Sequence, residues 1–410
     1  MGCGARAPNR VGMMNVTDFV VVVAGMRTPI GRFGGAYAAT PAHELGAAAI
    51  VAALGRARVR PDEVDEVVMG QVGQVGPDAY NARRCALAAG LPVTVTAQTV
   101  NRLCSSGLQA IWTGVNSILA GDAAIVVAGG DENMTMQPFL EFGTRGGSGA
   151  SLGNRTLIDG TLSLLEDPFG HYQMGITAEN VVAKFDVSRD DQDAWALESQ
   201  QRAAAAIAAG YFDDQIVPIA VKRGKETVTI DKDEHPRPQT TLETLAKLKP
   251  AFKSDGSVTA GNAAGINDAA AAVVLMRESQ ARERGFTGPM LRFVGAAVAA
   301  LEPEIMGVGP TPAVKKLLAK TGHTIDQIDI VELNEAFAAQ VVPVMRATGM
   351  DPKKVNPNGG AIALGHPIGA TGAILVVKLL SELHRSGGRF GIVTMCIGGG
   401  QGMAALFERV

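Results

Sequence analysis

The sequence is poor in cysteine and in aromatic residues, and it lacks an apolar run long enough to cross a membrane. Its four cysteines, Cys3, Cys85, Cys104 and Cys396, include no CxxC pair, so they favour a reducing compartment over a disulfide framework. The longest apolar runs, such as FVVVVAGM at 19–26, have the length of a strand and fall far short of the roughly 20 residues that span a bilayer. We therefore expect a soluble, cytoplasmic protein with no membrane partner.

The sequence also lacks a strong net charge. Its 37 Lys and Arg residues stand against 40 Asp and Glu residues, and the formal net charge of −3 excludes a general attraction to nucleic acid. Residues 222–253 are an exception, because eight Lys or Arg there stand against five Asp or Glu. We expect this locally basic stretch to bind an anion.

A chain of 410 residues is long for a single core, and its segments predict how it is divided. Strand-like and helix-like segments alternate from Asp18 to about Asn133 and resume after Ile266, which predicts an α/β fold with parallel strands. Residues 134–266 break this alternation with glycine-rich, charged and proline-containing stretches, and we interpret them as an insertion. Residues 1–17 are interpreted as an N-terminal extension.

Two segments resemble distant copies of one unit. Cys104 is followed three residues later by Gly107, then by a helix-like segment, a strand-like segment and a pair of glycines; His366 and Gly369 begin the same order. This repeat predicts a duplicated fold. The alternative is a chance similarity between two α/β segments.

Cys104 lies in NRLCSSG, where a strand is predicted to end and a helix to begin. The free N–H groups and the dipole at a helix N-terminus favour anions, so we expect the pKa of this thiol to lie below the free value of about 8.5. A thiolate in this position is a nucleophile. The alternative is that Cys104 is a small buried hydrophobic residue.

Cys396 ends the predicted strand FGIVTM and is followed by a run of three glycines, 398–400. Glycines leave backbone N–H groups open to a thioester, so the N–H groups of Gly398 and Cys104 are candidate donors to a thioester oxygen. Two cysteines in one pocket suit a reaction in which one carries an acyl group and the other moves a proton to or from carbon. The alternative is a structural cysteine beside a glycine-rich turn.

His366 lies among glycines in GGAIALGHPIGATG and precedes a proline, so a fixed turn displays its ring. An imidazole can take the proton of a thiol and then donate a hydrogen bond to a developing oxyanion. Asn334, in NEAFAAQ, follows a predicted strand, and its amide can hold a water that forms a second oxyanion site with His366. The alternatives are a structural histidine and an asparagine that caps the next helix.

Together, NRLCSSG, NEAFAAQ, GGAIALGHPIGATG and CIGGGQG resemble the motifs of the thiolase family, which comprises acetyl-CoA acetyltransferases and 3-ketoacyl-CoA thiolases, and most closely those of broad-range bacterial β-ketothiolases. The resemblance begins at about Asp18 and implies a duplicated α/β fold of five layers, α-β-α-β-α. Residues 18–133 and 267–287 would form one half and 288–410 the other. Residues 134–266 would form an inserted loop domain for coenzyme A binding and oligomer contacts, in a homodimer or homotetramer.

The resemblance also implies an activity and a role for each motif residue. The expected reaction is the reversible condensation of acetyl-CoA with an acyl-CoA, or the coenzyme A-dependent thiolysis of a 3-ketoacyl-CoA, through an acyl-cysteine. Cys104 would be the nucleophile, His366 its base, Cys396 the acid/base for the second substrate and Asn334 the water holder. We expect coenzyme A and its esters as substrates, with no permanently bound cofactor and no metal.

The resemblance places coenzyme A and the acyl group against the inserted segment. The matching residues are Arg237, Leu248, Phe252, Ala260, Ala264, Gln173, Met174 and Met306. Ala264 stands where relatives often have serine and Gln173 where they often have histidine, and Asp131 also departs from the commoner methionine or alanine. A lost buried hydrogen bond is worth about 0.5–1.5 kcal/mol, so these departures bear on coenzyme A affinity and on acyl-chain preference. We expect a broad short-to-medium chain range.

Two other functions are weighed against this one. A condensing enzyme of the same fold that works on acyl-carrier protein typically has one cysteine with two histidines, or with histidine and asparagine, and lacks the second thiol, so Cys396 argues against it. A non-catalytic acyl-CoA binding protein of this fold would have little reason to keep Cys104, His366 and Cys396 together.

Overall fold

The computed structural model describes residues 18–143 and 154–410, so the predicted extension at 1–17 lies outside the described residues. The strands are β1 (Val20–Arg27), β2 (Gly31–Arg32), β3 (Glu66–Gly70), β4 (Thr96–Val100), β5 (Val126–Asn133), β6 (Phe139–Leu140), β7 (Ile158–Asp159), β8 (Glu166–Asp167), β9 (Tyr172–Gln173), β10 (Ile219–Arg223), β11 (Glu226–Ile230), β12 (Asn267–Arg277), β13 (Leu291–Ala300), β14 (Ile330–Leu333), β15 (Phe390–Ile397) and β16 (Gln401–Arg409). The helices are α1 (Ala42–Ala57), α2 (Asn81–Ala88), α3 (Ser106–Ala120), α4 (Gly160–Leu164), α5 (Met174–Phe185), α6 (Arg189–Ala208), α7 (Leu242–Ala246), α8 (Glu278–Glu283), α9 (Pro310–Thr321), α10 (Ala338–Thr348), α11 (Ala361–Leu364) and α12 (Thr371–Ser386). Short 3₁₀ helices lie at Pro61–Glu63, Gly76–Tyr80, Pro303–Val308 and Ile325–Gln327.

The main sheet contains two copies of one pairing pattern. Its strand order is β14-β15-β16-β13-β1-β12-β5-β3-β4, and β2 pairs with β12. In the first half, β3 pairs parallel with β5, β5 antiparallel with β12, and β12 antiparallel with β1. In the second half, β14, β15, β16 and β13 repeat these pairings in the same order. An isolated parallel bridge between Val331 and Val355 occupies the position that β4 has in the first half. The predicted duplication is therefore confirmed.

The prediction of parallel strands is only partly correct. Of the pairings along the described sheet, β3–β4, β3–β5 and β14–β15 are parallel and the others are antiparallel. The sequence pattern of a buried strand, such as the valine run of β1, does not distinguish the two directions when helices cover both faces. The β15–β16 turn shows one cause, because Gly399 and Gly400 adopt φ values of 77° and 81° and reverse the chain at once.

Apolar cores fill the four interfaces between five layers of secondary structure, and the central core fills two of them. One core lies under α1 and α2, a second surrounds α3 and α12 between the two halves of the sheet, and a third lies under α9 and α10. The central helices pack backbone to backbone through glycine: a Cβ on Gly107 would lie 2.8 Å from the nitrogen of Ala373, and one on Gly372 would meet the backbone of Leu108. This contact brings the N-termini of α3 and α12 together, and with them the loops that carry Cys104 and His366.

Residues 134–266 connect β5 to β12. They contain α4 to α7 and β6 to β11, which form three two-stranded pairs apart from the main sheet. β12 then returns to the main sheet between β1 and β5. Within the part of the chain that the structure describes, no helix combines the length and the apolarity that a membrane span requires.

Candidate active site

A cavity of about 550 Å³ lies where strand-following loops of both halves meet residues from the 134–266 segment. Its walls include the predicted residues Cys104, His366, Gly398, Gln173, Met174, Arg237, Phe252, Ala260, Ala264 and Met306. Leu248 lines an adjoining pocket of about 360 Å³, which shares Arg237 and Ala260 with the cavity. Asn334 and Cys396 are fully buried and do not line the cavity. The structure thus brings the predicted site residues to one place, with two of them behind its wall.

Cys104 is presented by a strained loop between β4 and α3. Leu103, just before it, has a φ of 48°, which is uncommon for a residue with a branched side chain. The Oδ1 of Asn101 accepts a hydrogen bond from the nitrogen of Leu103 at 2.9 Å, and the hydroxyl of Ser106 donates to the oxygen of Leu103 at 2.6 Å. α3 begins at Ser106, so the thiol lies two residues before the helix N-terminus.

The pKa of Cys104 differs from the prediction made from the sequence. Burial raises this pKa to about 11, and the N–H groups of Gly398 and of Cys104 itself, which lower it, do not offset that effect. The prediction of a pKa below the free value is therefore wrong, because the desolvation of a thiolate outweighs the helix N-terminus. Cys104 rests as a thiol and needs a base at the moment of attack.

The glycine run after Cys396 has two separate roles. Gly399 and Gly400 supply the positive φ values of the β15–β16 turn. Gly398 instead directs its N–H to the sulfur of Cys104 and lines the cavity. A Cβ on Gly398 would lie 3.2 Å from the Cε of Met174, so a side chain there would crowd the space in front of the thiol.

His366 is held as a neutral base. Its Nδ1 lies 2.7 Å from the hydroxyl of Thr371, and that hydroxyl donates to the oxygen of Pro367 at 2.8 Å. Because the hydroxyl proton is engaged there, the network assigns the ring proton to Nδ1 and leaves a lone pair on Nε2. Burial lowers the pKa of His366 to about 4, so the imidazole is uncharged near neutral pH.

Asn334 contacts the imidazole of His366 at its other nitrogen, Nε2. Its Nδ2 lies 3.4 Å from the Nε2 of His366, and its Oδ1 is buried without a hydrogen-bonding partner among the described residues. α10 begins at Ala338, with Phe337 at the N-cap position. Asn334 therefore does not cap that helix, and its free Oδ1 fits an amide that holds a water.

Cys396 lies beside the cavity in an apolar environment. It is fully buried, and its thiol donates to the Oε1 of Gln340 at 3.0 Å. Burial raises the pKa of Cys396 well above its ordinary value, and the nearby Cys104 raises it further. A thiol in this state becomes a strong base once its proton is removed.

The outer end of the cavity offers contacts of the kind that a nucleotide thioester needs. The side chain of Arg237 is exposed, and among the described residues it has no ion-pair partner. The ring of Phe252 packs edge-on against Phe337, with ring centroids 6.1 Å apart, and lies over Gly175. A free guanidinium beside exposed aromatic and aliphatic surface can hold both a phosphate and an adenine ring.

The inner wall around Cys104 is apolar, and sequence reasoning missed most of it. An apolar cluster comprises Val72, Met134 and Ile368 in its core, with Leu103, Leu164, Leu165 and Ile266 packed against it. These residues come from separate parts of the chain, including the end of α4, and have no local signal that marks them as a pocket. Gln340 was also missed, although it is the last residue of NEAFAAQ. Among the described residues, no group of three or more His, Cys, Asp or Glu side chains is placed to hold a metal ion.

Comparisons with known proteins agree with this geometry. The sequence matches the thiolase N-terminal domain over residues 20–279 and the thiolase C-terminal domain over residues 287–409. It is 51% identical to Beta-ketothiolase BktB of Cupriavidus necator, across 96% of this chain and 100% of the relative, and 50% identical to an acetyl-CoA acetyltransferase of Chromobacterium violaceum, across 95% and 99%.

Solved structures of high similarity are an acetyl-CoA acetyltransferase and a 3-ketoacyl-CoA thiolase. The crystal structure of the Bacillus anthracis acetyl-CoA acetyltransferase has a TM-score of 0.93 and 46% identity, and covers 96% of this chain and 99% of that one. The human mitochondrial 3-ketoacyl-CoA thiolase in complex with CoA has a TM-score of 0.91 and 44% identity, with 96% and 98% covered. The chain therefore belongs to the thiolase family.

Proposed function

We propose that this protein is a β-ketothiolase, an acyltransferase that condenses acetyl-CoA with an acyl-CoA and, in reverse, cleaves a 3-ketoacyl-CoA with coenzyme A. The observation that carries the proposal is the pairing of two thiols with one neutral imidazole. Cys104 faces the cavity and receives the N–H of Gly398, and Cys396 lies close enough to Cys104 that Cys104 raises the pKa of the Cys396 thiol. The names of the relatives support the same reaction.

The first half-reaction forms an acyl-cysteine. The Nε2 of His366 takes the thiol proton of Cys104 while the sulfur attacks the thioester carbon, which avoids a free thiolate of high pKa. The N–H groups of Gly398 and Cys104 stabilise the oxyanion of the tetrahedral intermediate. Its collapse breaks the bond to sulfur of coenzyme A, and the departing thiolate takes the proton of Cys396.

The second half-reaction forms the carbon–carbon bond. The thiolate of Cys396 takes a proton from the methyl carbon of acetyl-CoA, and the enolate oxygen accepts hydrogen bonds from protonated His366 and from a water held by Asn334. The enolate carbon attacks the acyl carbon on Cys104. Expulsion of that sulfur as a thiolate, which recovers its proton from His366, restores the resting enzyme, and thiolysis follows the same steps in reverse.

The segment 134–266 is proposed to bind coenzyme A, as part of the domain division inferred from the sequence. Arg237 would pair with a phosphate, and Leu248, Phe252 and Ala260 would contact the nucleotide and pantetheine. Within the same binding channel, Ala264 removes a hydroxyl that a serine would offer to pantetheine. A cytoplasmic location and a homodimer or homotetramer are part of this proposal.

The apolar cluster around Cys104 is proposed to accept acyl chains longer than acetyl. Its seven apolar side chains line the cavity and pack in one cluster with Cys104, to which the acyl group would be attached. Burial of each added methylene is worth about 0.8 kcal/mol. A panel of C4 to C10 3-ketoacyl-CoA substrates, compared by kcat/KM, tests the proposed short-to-medium range.

The central test is acyl transfer by the purified protein. Loss of acetoacetyl-CoA in the presence of coenzyme A should be catalysed by the wild type and abolished in Cys104→Ala. Radiolabelled acetyl-CoA should leave a covalent label on the wild type and none on Cys104→Ala. Cys85→Ala is the matched control, because Cys85 is buried outside the cavity and should keep both activities. Labelling of the Cys104→Ala protein would falsify the assignment.

A further inference from the structure

A buried glutamine connects the two parts of the site that act on carbon. Gln340 lies in the first turn of α10 and is fully buried. Its Oε1 accepts a hydrogen bond from the Cys396 thiol at 3.0 Å, and its Nε2 donates to the main-chain oxygen of Asn334 at 3.2 Å. Because the amide nitrogen is committed to a carbonyl oxygen, the Oε1 must face the thiol.

The surroundings restrict the movement of the Gln340 amide and limit the hydrogen-bond acceptors that the Cys396 thiol can reach. The residues packed with Cys396 in its cluster are apolar: Ala178, Val258, Ala263, Met306, Ala336, Phe337 and Ala339. Gly307 packs against the glutamine so closely that an added Cβ would lie 3.0 Å from the Cβ of Gln340. A buried thiol proton in such surroundings takes its direction from the available acceptor, here the Oε1 of Gln340.

We propose that Gln340 is a positioning residue for proton transfer at the α-carbon. By accepting the thiol hydrogen bond, Gln340 fixes the sulfur of Cys396. By donating to the main-chain oxygen of Asn334, it also fixes the position of that sulfur relative to the Asn334 side chain, which contacts His366. The inference rests on the proposed β-ketothiolase function. Gln340 itself gains and loses no proton: Cys396 gives its proton to the departing coenzyme A thiolate and regains one from the methyl carbon.

The position of Gln340 predicts that its loss affects the two half-reactions unequally. Acylation forms a bond at the sulfur of Cys104 and takes its base from His366, neither of which hydrogen-bonds to Gln340. The proton that Cys396 gives to the departing coenzyme A thiolate is not essential to this step, because a thiolate whose pKa is about 8.5 leaves readily and can take a proton from water. Enolisation requires the Cys396 sulfur to meet a carbon-bound proton in line, and such transfers fall steeply with misplacement. A variant of Gln340 should therefore acylate and fail to enolise.

The test uses Gln340→Met, which keeps the size but removes both hydrogen bonds, and Gln340→Glu, which keeps an acceptor. Acylation is measured with radiolabelled acetyl-CoA, and enolisation by mass spectrometry of deuterium exchange into the methyl group of acetyl-CoA in D₂O. Gln340→Met should keep the acylation rate within about twofold and lose at least about tenfold in both exchange and condensation. Gln340→Glu should recover part of the exchange rate.

Gln215→Met is the matched control. Gln215 is also buried, accepts from the Nε of Arg27 at 3.0 Å and donates to the oxygen of Tyr211 at 3.3 Å, but it does not line the cavity. It should leave acylation and exchange unchanged, even if the protein melts at a lower temperature.

The outcomes separate this inference from the function on which it rests. Equal losses of acylation and exchange in Gln340→Met, or exchange at the wild-type rate, would overturn the positioning role. Deuterium exchange in Gln340→Glu no faster than in Gln340→Met would overturn the role of the acceptor. If Gln340→Met does not fold, Gln340→Glu serves as the probe. A wild-type protein that neither takes the label nor exchanges would instead overturn the proposed function.

Discussion

The two halves of the sheet repeat one pairing pattern but use equivalent positions for different purposes. Glu132 on β5 and Cys396 on β15 each lie two residues beyond the last residue that pairs with the neighbouring parallel strand. The carboxylate of Glu132 accepts from the nitrogens of Val72, Gly73 and Gly369 at 2.9 to 3.0 Å, whereas the thiol of Cys396 has a neutral amide as its partner. Three donors anchor the first group, and a single acceptor leaves the second able to exchange a proton.

Glu132 also connects the halves. It accepts a hydrogen bond from Gly369, which lies in the loop that carries His366. It also accepts hydrogen bonds from Val72, which lines the cavity, and from the next residue, Gly73, both in the first half. The comparison teaches that the duplicated fold provides equivalent strand ends in both halves and that the residue at each end determines its role. Glu132 is a structural tether between the halves, and Cys396 is the group that exchanges a proton.

The largest expected effect separates the chemical group from the tether. Cys396→Ala should still take label from radiolabelled acetyl-CoA at Cys104 but should lose about 10²–10⁴-fold in condensation and thiolysis, the usual scale of general acid–base catalysis. Its melting temperature should stay near that of the wild type, because a small buried apolar group replaces another. An unlabelled Cys396→Ala protein would contradict the division of roles between the two thiols.

The equivalent change in the first half should act on stability. Glu132→Gln keeps one acceptor but turns an N–H group toward backbone donors, which should destabilise the protein by about 1–3 kcal/mol for each bond that fails. Acylation and exchange should slow together, because Glu132 holds Gly369 in the loop of His366 and also Val72, whose oxygen accepts a hydrogen bond from Asn101 in the loop of Cys104 at 3.3 Å. Calorimetry and the two half-reaction assays check this; a stable variant with only enolisation impaired would refute it.

The pH dependence of the two thiols provides the next test. With the pKa of Cys104 at about 11, its alkylation by iodoacetamide in a Cys396→Ala background should rise about tenfold per pH unit from pH 7 to pH 10. The base His366 should contribute no inflection there, because its pKa of about 4 lies below this range. A plateau below pH 9 would instead indicate the lowered pKa that the helix N-terminus alone predicts.

The smallest expected effect concerns a buried carboxyl beside Glu132. Asp131 accepts hydrogen bonds from Asn81 at 2.6 Å and from the thiol of Cys85 at 3.0 Å, so both of its carboxyl oxygens have a partner. Burial raises the pKa of Asp131 to about 7 from 3.8, so the folded state binds its proton more tightly. That stabilisation is complete below about pH 4 and is lost as the pH rises through 7.

Asp131→Asn should therefore flatten the fall in melting temperature between pH 4 and pH 8 by a few degrees, since the amide does not titrate. Cys85→Ala removes a partner but keeps the titrating carboxyl, so it should retain the fall. An unchanged slope in Asp131→Asn would show that Asp131 is not a source of this pH dependence.

Much of the fold and the site was accessible from the sequence because the signals are local. The valine run of β1 and the motifs around Cys104, His366 and Cys396 predicted a buried strand and the loops of the site, and the repeated order of segments predicted the duplication. The prediction of parallel strands was wrong for β1, β12, β13 and β16, which pair antiparallel with every neighbour, because the burial pattern of a covered strand is the same in both directions.

The sequence by itself determined which chemistry-bearing residues stand at strand ends, since strand, turn and helix signals are short-range and a glycine run marks a backbone that no side chain covers. Only the tertiary structure decided their ionisation and their partners. Burial is a property of the assembled layers, so it raised the pKa of the Cys104 thiol against the local effect of the helix N-terminus. The contacts of Cys396 with Gln340 and of Glu132 with Gly369 span 56 and 237 residues, and no sequence pattern encodes a hydrogen bond over that separation.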